Sequence, residues 1–362
     1  MNEQPSMVFH LPYEIEDNPT GAGGIRPHRM RKAFSDLGYE VVDLSGTKPQ
    51  RKEKFKKLKQ RLSTGWRPQF MYAENSTMPN LLATSLKEGI DPFLEYSIMR
   101  SLFKAGVPIG MFYRDAYWKY KDSLPKDLYG KISVPLNVLD MIGYRRNKLH
   151  FFLPSLPMAE ILELEPPLTW SALPPAGDPD NVKPLPDGEL KLFYVGGLAT
   201  HYKLDEFVLA LKDVGNVELN LVCRKPEWDA EVKKNSDFLI PQIHVQHLNS
   251  YELGPVYEES HVCVLAVAPS DYRKFAVPFK LFEYISNGRP IIVTAGTEAA
   301  RIVESLDAGW VVQYSRDDFS RLLGHLRNNP DEVKDKARNA RKAALTNTWT
   351  DRAKTVVETL TN

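Results

Sequence analysis

A chain of 362 residues exceeds the roughly 250–300 at which a single hydrophobic core stops growing, so two domains are expected. Its content, 43% apolar and 26% charged, is that of an ordinary globular protein. With 47 basic against 46 acidic residues there is no global field to draw nucleic acid, and any polyanion site must be local.

The opening MNEQPSMVFHLPYEIEDNP lacks the basic start and continuous apolar core of a signal peptide, and no segment approaches the ~20 apolar residues of a transmembrane helix. Strand-like and helix-like runs alternate from there on, which predicts parallel sheets with crossover helices. In the first half, strands are expected at Met7–Leu11, Tyr39–Leu44, Gln69–Ala73, Val107–Tyr113, Val138–Ile142 and Leu149–Leu153. Helices are expected at Pro27–Leu37, Lys52–Leu62, Pro92–Lys104 and Lys119–Leu128, with a short one near Met158–Leu164.

After the first strand comes Asn18-Pro19-Thr20-Gly21-Ala22-Gly23-Gly24-Ile25-Arg26. Its glycines allow a close backbone approach, and the helix start that follows offers free N–H groups and a positive dipole end. It is not the G-x-G-x-x-G fingerprint, so dinucleotide binding is not indicated, and a plain strand-to-helix turn is the alternative. Lys48–Arg61, KPQRKEKFKKLKQR, reads as a basic amphipathic helix with Phe55, Leu58 and Leu62 at helical spacing. Such a helix suits an anionic membrane surface, or else packs on its own sheet with a solvated lysine face. A later strand delivers Arg114-Asp115 and then Tyr117-Trp118 into a loop. Charged residues at strand ends of such sheets are candidate site residues and the aromatics a stacking wall for a sugar, the alternative being an ion pair that caps the next helix.

The proline-dense stretch 165–189 has no helical or strand period and reads as an inter-domain connection. Within it Asp178-Pro179-Asp180 has D-x-D spacing, read as turn chemistry; the eight histidines show no metal-like spacing, and no metal is expected. In the second half, strands are expected at Leu190–Val195, Val217–Val222, His244–His247, Val262–Val267, Pro290–Thr294 and Trp310–Gln313. Cys223 and Cys263 sit in these apolar runs as reduced core thiols, which with the absence of a leader predicts a cytoplasmic location.

The most informative stretch is 270–304, SDYRKFAVPFKLFEYISNGRPIIVTAGTEAARIVE. Pro278 suits a first helical turn, Phe279, Leu281, Phe282 and Ile285 share an inward face, and Lys280 and Glu283 lie near the polar side of the helix start. Asn287-Gly288 ends that helix, and Pro290–Thr294 has the β-branched run of a strand covered on both faces. An i,i+3 solvated pair is the plain alternative for Lys280 and Glu283.

Through P-F-K-L-F-E-Y followed by N-G-R-P-I-I, this unit resembles the nucleotide-sugar-binding segment of retaining GT-B glycosyltransferases of the family 4-like, group 1 type. The resemblance implies two Rossmann-like, doubly wound α/β domains facing a cleft, with the last helix crossing back to the first domain. Expected boundaries are 1–170 for the acceptor domain, 171–188 for the linker, 189–345 for the donor domain and 346–362 for the returning helix. It also implies that Glu283 holds the ribose through an acceptor-only carboxylate, and that Phe279, Lys280, Gly196, Gly197, Lys203, Gly23 and Gly24 meet the donor. Lys203, in the loop Tyr194–Lys203, matches a family lysine that faces the diphosphate, whereas a family arginine is replaced by Gly197 and a family glutamate by Phe275. Arg273, Lys280 or Arg26 then supplies the missing cation. Arg114, Asp115 and Lys203 are the implied catalytic residues, Tyr117, Trp118 and Arg26 the acceptor contacts, and Arg224–Trp228 with Val245–Asn249 the surroundings of the base.

The expected activity is metal-independent, cofactor-free transfer of a hexose, with retention, from a nucleotide diphosphate sugar such as a UDP-sugar to a saccharide or lipid-linked acceptor, with no nucleic-acid partner. Two rivals stand beside it: an epimerase of the same fold using Asp115 and His201, and a non-catalytic sugar-nucleotide-binding subunit in which Gly197 and Phe275 mark lost function.

Overall fold

The computed structural model describes residues 4–16, 19, 21–83, 88, 91–120, 128–179, 182–198 and 202–362. Two units divide the chain: Met1–Pro174 together with Trp349–Asn362, and Pro175–Thr348.

The first unit runs β1 (Ser6–His10), α1 (Ala22–Asp36), β2 (Glu40–Asp43), α2 (Lys48–Ser63), β3 (Phe70–Glu74), α3 (Leu94–Lys104), β4 (Ile109–Phe112), α4 (Leu128–Arg146), β5 (His150–Leu153), α5 (Pro157–Ile161) and β6 (Thr169–Ala172). Its six strands are ordered β2-β1-β3-β4-β5-β6, all pairs parallel. The central strands are buried on both faces, as their unbroken apolar runs require. Right-handed crossovers put α2, α3 and α4 on one face, because those connections all step toward β6, and α1 on the other, because it steps back to β2. Phe9, Phe34, Phe70, Tyr72 and Phe152 form a continuous aromatic core with ring centroids 5.3–6.5 Å apart.

The second unit runs β7 (Leu190–Val195), α6 (Asp205–Asp213), β8 (Val217–Val222), α7 (Lys225–Lys234), β9 (Ile243–Gln246), α8 (Gly254–Glu259), β10 (Val262–Leu265), α9 (Phe279–Ser286), β11 (Ile291–Thr294), α10 (Glu298–Ser305), β12 (Gly309–Val312), α11 (Arg316–Asn328) and α12 (Pro330–Ala344). Its six parallel strands are ordered β12-β11-β10-β7-β8-β9. Cys223 and Cys263 are buried free thiols, and burial pushes the Cys223 thiol up to about 12. The final helix, α13 (Trp349–Thr361), packs on α1 of the first unit, so the fold is the α/β, doubly wound pair with a returning helix that the resemblance implies.

Three local expectations need correction. The strand expected at Val138–Ile142 lies inside α4. Its buried positions Ser133, Asn137, Asp140 and Tyr144 recur every three or four residues, a helical period hidden by the apolar run between them. The helix expected at Lys119–Leu128 falls, at 121–127, outside the described residues; on either side of these stand a 3-10 turn at Tyr117–Lys119 and the start of α4 at Leu128. The stretch 165–189 contains β6, which pairs with β5 from His150↔Thr169 to Leu153↔Ala172. Gly23 and Gly24 sit in the first turn of α1 rather than in a loop before it.

Helix α2 begins on a Thr47–Gln50 capping box and buries Arg51, Phe55 and Leu58. Arg51 is fully buried because Glu95 of α3 takes its Nε and Nη2 at 3.1 and 2.8 Å, while His10 at the end of β1 meets the other carboxylate oxygen at 2.5 Å. Burial opposes ionisation of Glu95, yet His10 and Arg51 outweigh it and hold the carboxyl below its ordinary range. The apolar stripe of α2 is therefore spent on its own core, and its exposed residue is a lysine row.

Candidate active site

Ligands of open parallel sheets bind beyond the carboxyl ends of the strands, where the strand order reverses. In the first sheet that point lies between β1 and β3, and in the second between β7 and β10.

At the first switch point Glu74 closes β3 with its carboxylate fully buried. Arg114, just beyond β4, donates from Nη2 to Glu74 Oε2 at 3.1 Å and to the Tyr13 hydroxyl at 2.7 Å, and from Nη1 to the Gly23 carbonyl at 2.9 Å. Arg26 lies with Nε 3.3 Å from Glu74 Oε1 and its guanidinium 3.4 Å from the centroid of Phe112. Tyr72 completes the cluster by donating to Glu74 Oε1 at 2.9 Å, and Asn75 accepts from the Arg114 amide at 2.8 Å. Two guanidinium groups on one carboxylate leave an excess positive charge beside the start of α1. Burial pushes Tyr13 up to about 12, against the pull of Arg114, so its hydroxyl stays protonated at neutral pH. A side chain at Gly24 would come within 2.7 Å of Pro19, which is why the turn into α1 takes glycine there.

The structure thus brings Arg26 and Arg114 together on Glu74, with Gly23 bonded to Arg114, and gives several of the expected site residues internal tasks. Arg26 is 4% exposed and Trp118 7%, the latter donating to the Tyr113 hydroxyl at 2.9 Å. Of these two expected acceptor contacts, Arg26 is thus turned to Glu74 and Phe112, and Trp118 to Tyr113, inside the first unit. Asp115 accepts from the Tyr117 amide at 3.1 Å, a local turn bond, while Tyr117 is half-buried with its hydroxyl 3.7 Å from Met78 Sδ. Tyr13, Glu74 and Asn75 were not picked out from sequence. A glutamate followed by asparagine at the end of the otherwise apolar FMYAE strand is the signal that identifies them.

At the second switch point the loop after β7 and the segment between β10 and α9 face one another. Gly196 donates to the Val222 carbonyl at 2.9 Å, and the Tyr194 hydroxyl donates to the Gly197 carbonyl at 2.6 Å. Glu227 of α7 accepts from the Leu198 amide at 2.9 Å, and its Oε2 stands 2.9 Å from where a side chain on Gly197 would begin. Glu227 thus occupies the space in which the family's arginine would start. Residues 199–201 lie outside the described set, so the expected role of His201 has no structural description. Lys203 is exposed, while its carbonyl is pinned by the Ala268 amide at 3.1 Å and the Tyr314 hydroxyl at 3.0 Å.

Across the switch point Arg273 stacks over Tyr202 at 5.2 Å, and burial lowers its pKa. Phe275 is 1% exposed and edge-on to Tyr272 at 5.1 Å, so it fills a core position. Pro278 caps α9 from just outside the helix, and Phe279, Lys280 and Glu283 are half-buried on its first turns. Burial lowers the pKa of Lys280, with Glu283 pulling the other way. Lys203, Arg273 and Glu227 thus lie about the loop after β7, and Lys280 with Glu283 on the first turns of α9, positions beyond the carboxyl ends of β7 and β10 that fit an anionic ligand bearing hydroxyl groups. The arginine of N-G-R-P has another task. Arg289 is fully buried and donates to the carbonyls of Tyr257, Lys183 and Pro184 at 2.7–2.9 Å, tying α9 to the chain that enters the unit.

Residues 203–358 match a family model described as glycosyl transferase-like. No curated protein matches the sequence significantly. Among solved structures, sucrose-phosphate synthase from Thermosynechococcus elongatus superposes with a TM-score of 0.66 at 12% identity, covering 99% of this chain and 98% of that one. HepE from Anabaena in complex with UDP gives 0.64 at 13% identity, covering 98% and 99%. WaaG, a glycosyltransferase involved in lipopolysaccharide biosynthesis, gives 0.58 at 15% identity, covering 98% and 100%. Identities this low speak for the fold alone: the chain has the GT-B architecture of these structures, and its residues 203–358 are similar to the glycosyl transferase-like family.

Proposed function

We propose that this protein transfers a hexose, with retention and without a metal, from a nucleotide diphosphate sugar held by the second unit to a saccharide or lipid-linked acceptor taken by the first. What supports the reading is the family match over residues 203–358 together with Lys280 and Glu283 on the first turns of α9, the helix that follows β10 at the switch point. Glu283 accepts hydrogen bonds from the two ribose hydroxyls, and Lys203 and Lys280 lie against the diphosphate. In the reaction the bond from the anomeric carbon to the diphosphate oxygen breaks, and the acceptor oxygen bonds to that carbon on the same face. The acceptor's proton passes to the departing diphosphate, whose growing charge the lysines, Arg273 and the α9 start stabilise. UDP is the diphosphate of first choice, since HepE, of the same fold, is described with UDP bound. The first unit contributes Gly23 and Gly24, braced by Arg114, toward the sugar, and Tyr117 toward the acceptor. A site at the cytoplasmic side of a membrane suits a lipid-linked acceptor, and the lysine row of α2 supports peripheral contact with an anionic surface.

The test is to incubate the protein with UDP- and other nucleotide-sugars and follow release of nucleotide diphosphate with and without candidate acceptors. Acceptor-dependent release supports transfer. Saturable donor binding without turnover favours a binding subunit, the reading that Gly197 and Phe275 in the places of two family residues would explain, and absence of donor binding overturns both.

A further inference from the structure

Tyr257, on α8 of the second unit, is 2% exposed, and among the described residues no group completes a hydrogen bond to its hydroxyl. A buried hydroxyl left unbonded is a net cost to a fold, so it calls for an explanation.

Everything else about this tyrosine is fixed. Phe193 of β7 stands edge-on to its ring at 4.8 Å, and Tyr284 of α9 at 6.2 Å. The Tyr257 amide donates to the Leu253 carbonyl at 3.0 Å, and its own carbonyl accepts from Arg289 Nε and Nη2 at 2.9 and 2.7 Å. Tyr284 is pinned in turn, its hydroxyl accepting from the Val195 amide at 3.1 Å at the end of β7. With its ring packed and its backbone clamped at both ends, the Tyr257 hydroxyl is aimed in one direction.

That direction is Glu283, the neighbour of Tyr284 on α9. Burial pushes the Tyr257 hydroxyl well above the ordinary tyrosine range, and the Glu283 carboxylate beside it pushes the same way. The proton therefore stays on the tyrosine at neutral pH, so the hydroxyl can donate and the carboxylate accept. Lys280, one turn earlier on α9, acts on the same carboxylate. A glutamate side chain has three torsions and, half-buried on the first turns of a helix, does not hold one orientation by itself. Clasping two adjacent hydroxyls needs its carboxylate plane set to within about 10–20°.

We infer that Tyr257 is the positioning residue for Glu283: its hydroxyl donates to the carboxylate and sets its plane, leaving the remaining acceptor positions for the 2′ and 3′ hydroxyls of a bound ribose. The bond closes as the nucleotide draws the carboxylate into register, which accounts for a hydroxyl kept unbonded in the free protein. Arg289 belongs to the same support, since it holds the Tyr257 backbone in place. The inference rests on the reading of Glu283 as the ribose carboxylate.

The experiment is calorimetry of the full chain with UDP, ADP and GDP, followed by the 2′-deoxy form of whichever binds most tightly. Wild type is compared with Tyr257→Phe, Glu283→Gln and the double variant. Tyr257→Phe is expected to weaken the ribonucleotide about fivefold to tenfold, the worth of one hydrogen bond to a charged group. It should also narrow the preference for ribose over deoxyribose, and it should cost nothing further once Glu283 is glutamine. Without nucleotide the variant should melt at or above the wild-type temperature, because it removes a hydroxyl that the free fold leaves unbonded. The inference is overturned, with the ribose reading intact, if Glu283→Gln weakens binding but Tyr257→Phe does not. It is equally overturned if the tyrosine loss is the same for both sugars and adds in full to the glutamine variant, or if Tyr257→Phe melts well below wild type, which would make the hydroxyl structural. Unchanged affinity in Glu283→Gln would remove the ribose reading itself, and this inference with it.

Discussion

Glu74 sits at the end of a strand with no water to solvate it, and its charge is tolerable only because Arg26 and Arg114 stand within 3.3 Å. Arg114→Ala removes the hydrogen-bonded partner and releases the Gly23 carbonyl and the Tyr13 hydroxyl together. A loss of roughly 3 kcal/mol of stability is expected from urea unfolding. Arg114→Lys should recover little of it, because one ammonium cannot span three acceptors in a planar fork. Full rescue by lysine would show that charge alone matters. On the second unit, Glu283→Gln removes an ionised acceptor while keeping the shape. It should weaken nucleotide diphosphate binding about tenfold or more in calorimetry, the worth of one charge-assisted bond, with little change in melting temperature. Unchanged affinity would place the ribose elsewhere. At this scale the sequence was only half legible. The motif around Glu283 declares itself because residue types and spacing are fixed by local helix geometry. The tasks of Arg26, Trp118 and Asp115 depend on what the rest of the fold puts beside them, and a linear pattern does not contain that.

Helix α4 shows how an element can mislead. VLDMI carries the composition of a strand, and only the polar positions on either side of it carry the helical period. A reading that follows apolar residues misses a helix whose buried face is made of serine, asparagine and aspartate. Asp140 records the cost. Burial raises its carboxyl from 3.8 to about 6, with the Tyr96 and Asn80 hydrogen bonds opposing. The folded state therefore holds this proton more tightly than the unfolded chain. Its contribution to stability is fully present below about pH 4 and is lost as pH rises through about 6, on the order of 3 kcal/mol in all. Carboxyl-carbon NMR titration should place the Asp140 midpoint near pH 6, and a midpoint near 4 would refute the assignment. The strands were read far more easily than α4, since β7 and β8 fall where their unbroken apolar runs predict.

For the molecule as a whole, the alternation of strand and helix was enough to foresee two parallel sheets, because each βαβ step has a single favoured hand. Strand β6 escaped notice in its proline-rich surroundings: an edge strand is half exposed, and TWSA has no apolar run to betray it. The last helix completes the first unit by burying Trp349, Ala353, Val356 and Leu360. Arg352 on the same helix donates to the Pro174 carbonyl at 3.0 Å. At about 1.5–3 kcal/mol for each large apolar side chain, ending the chain after Thr348 should cost the first unit most of its stability. The second unit should keep its own unfolding transition. Hydrogen exchange of the truncated chain tests this, and native protection in β1, β3 and β4 would show that the helix is dispensable.

One consequence of that returning helix concerns synthesis. A ribosome delivers the chain at about 5–20 residues per second, and the second unit, Pro175–Thr348, emerges as a continuous piece able to collapse at once. The first unit, begun earlier, must wait with the α13-facing side of α1 uncovered until Leu360 has left the exit tunnel. The half made first is thus finished last, and for the length of a whole domain its unfinished side is open to chaperones or to mistaken partners.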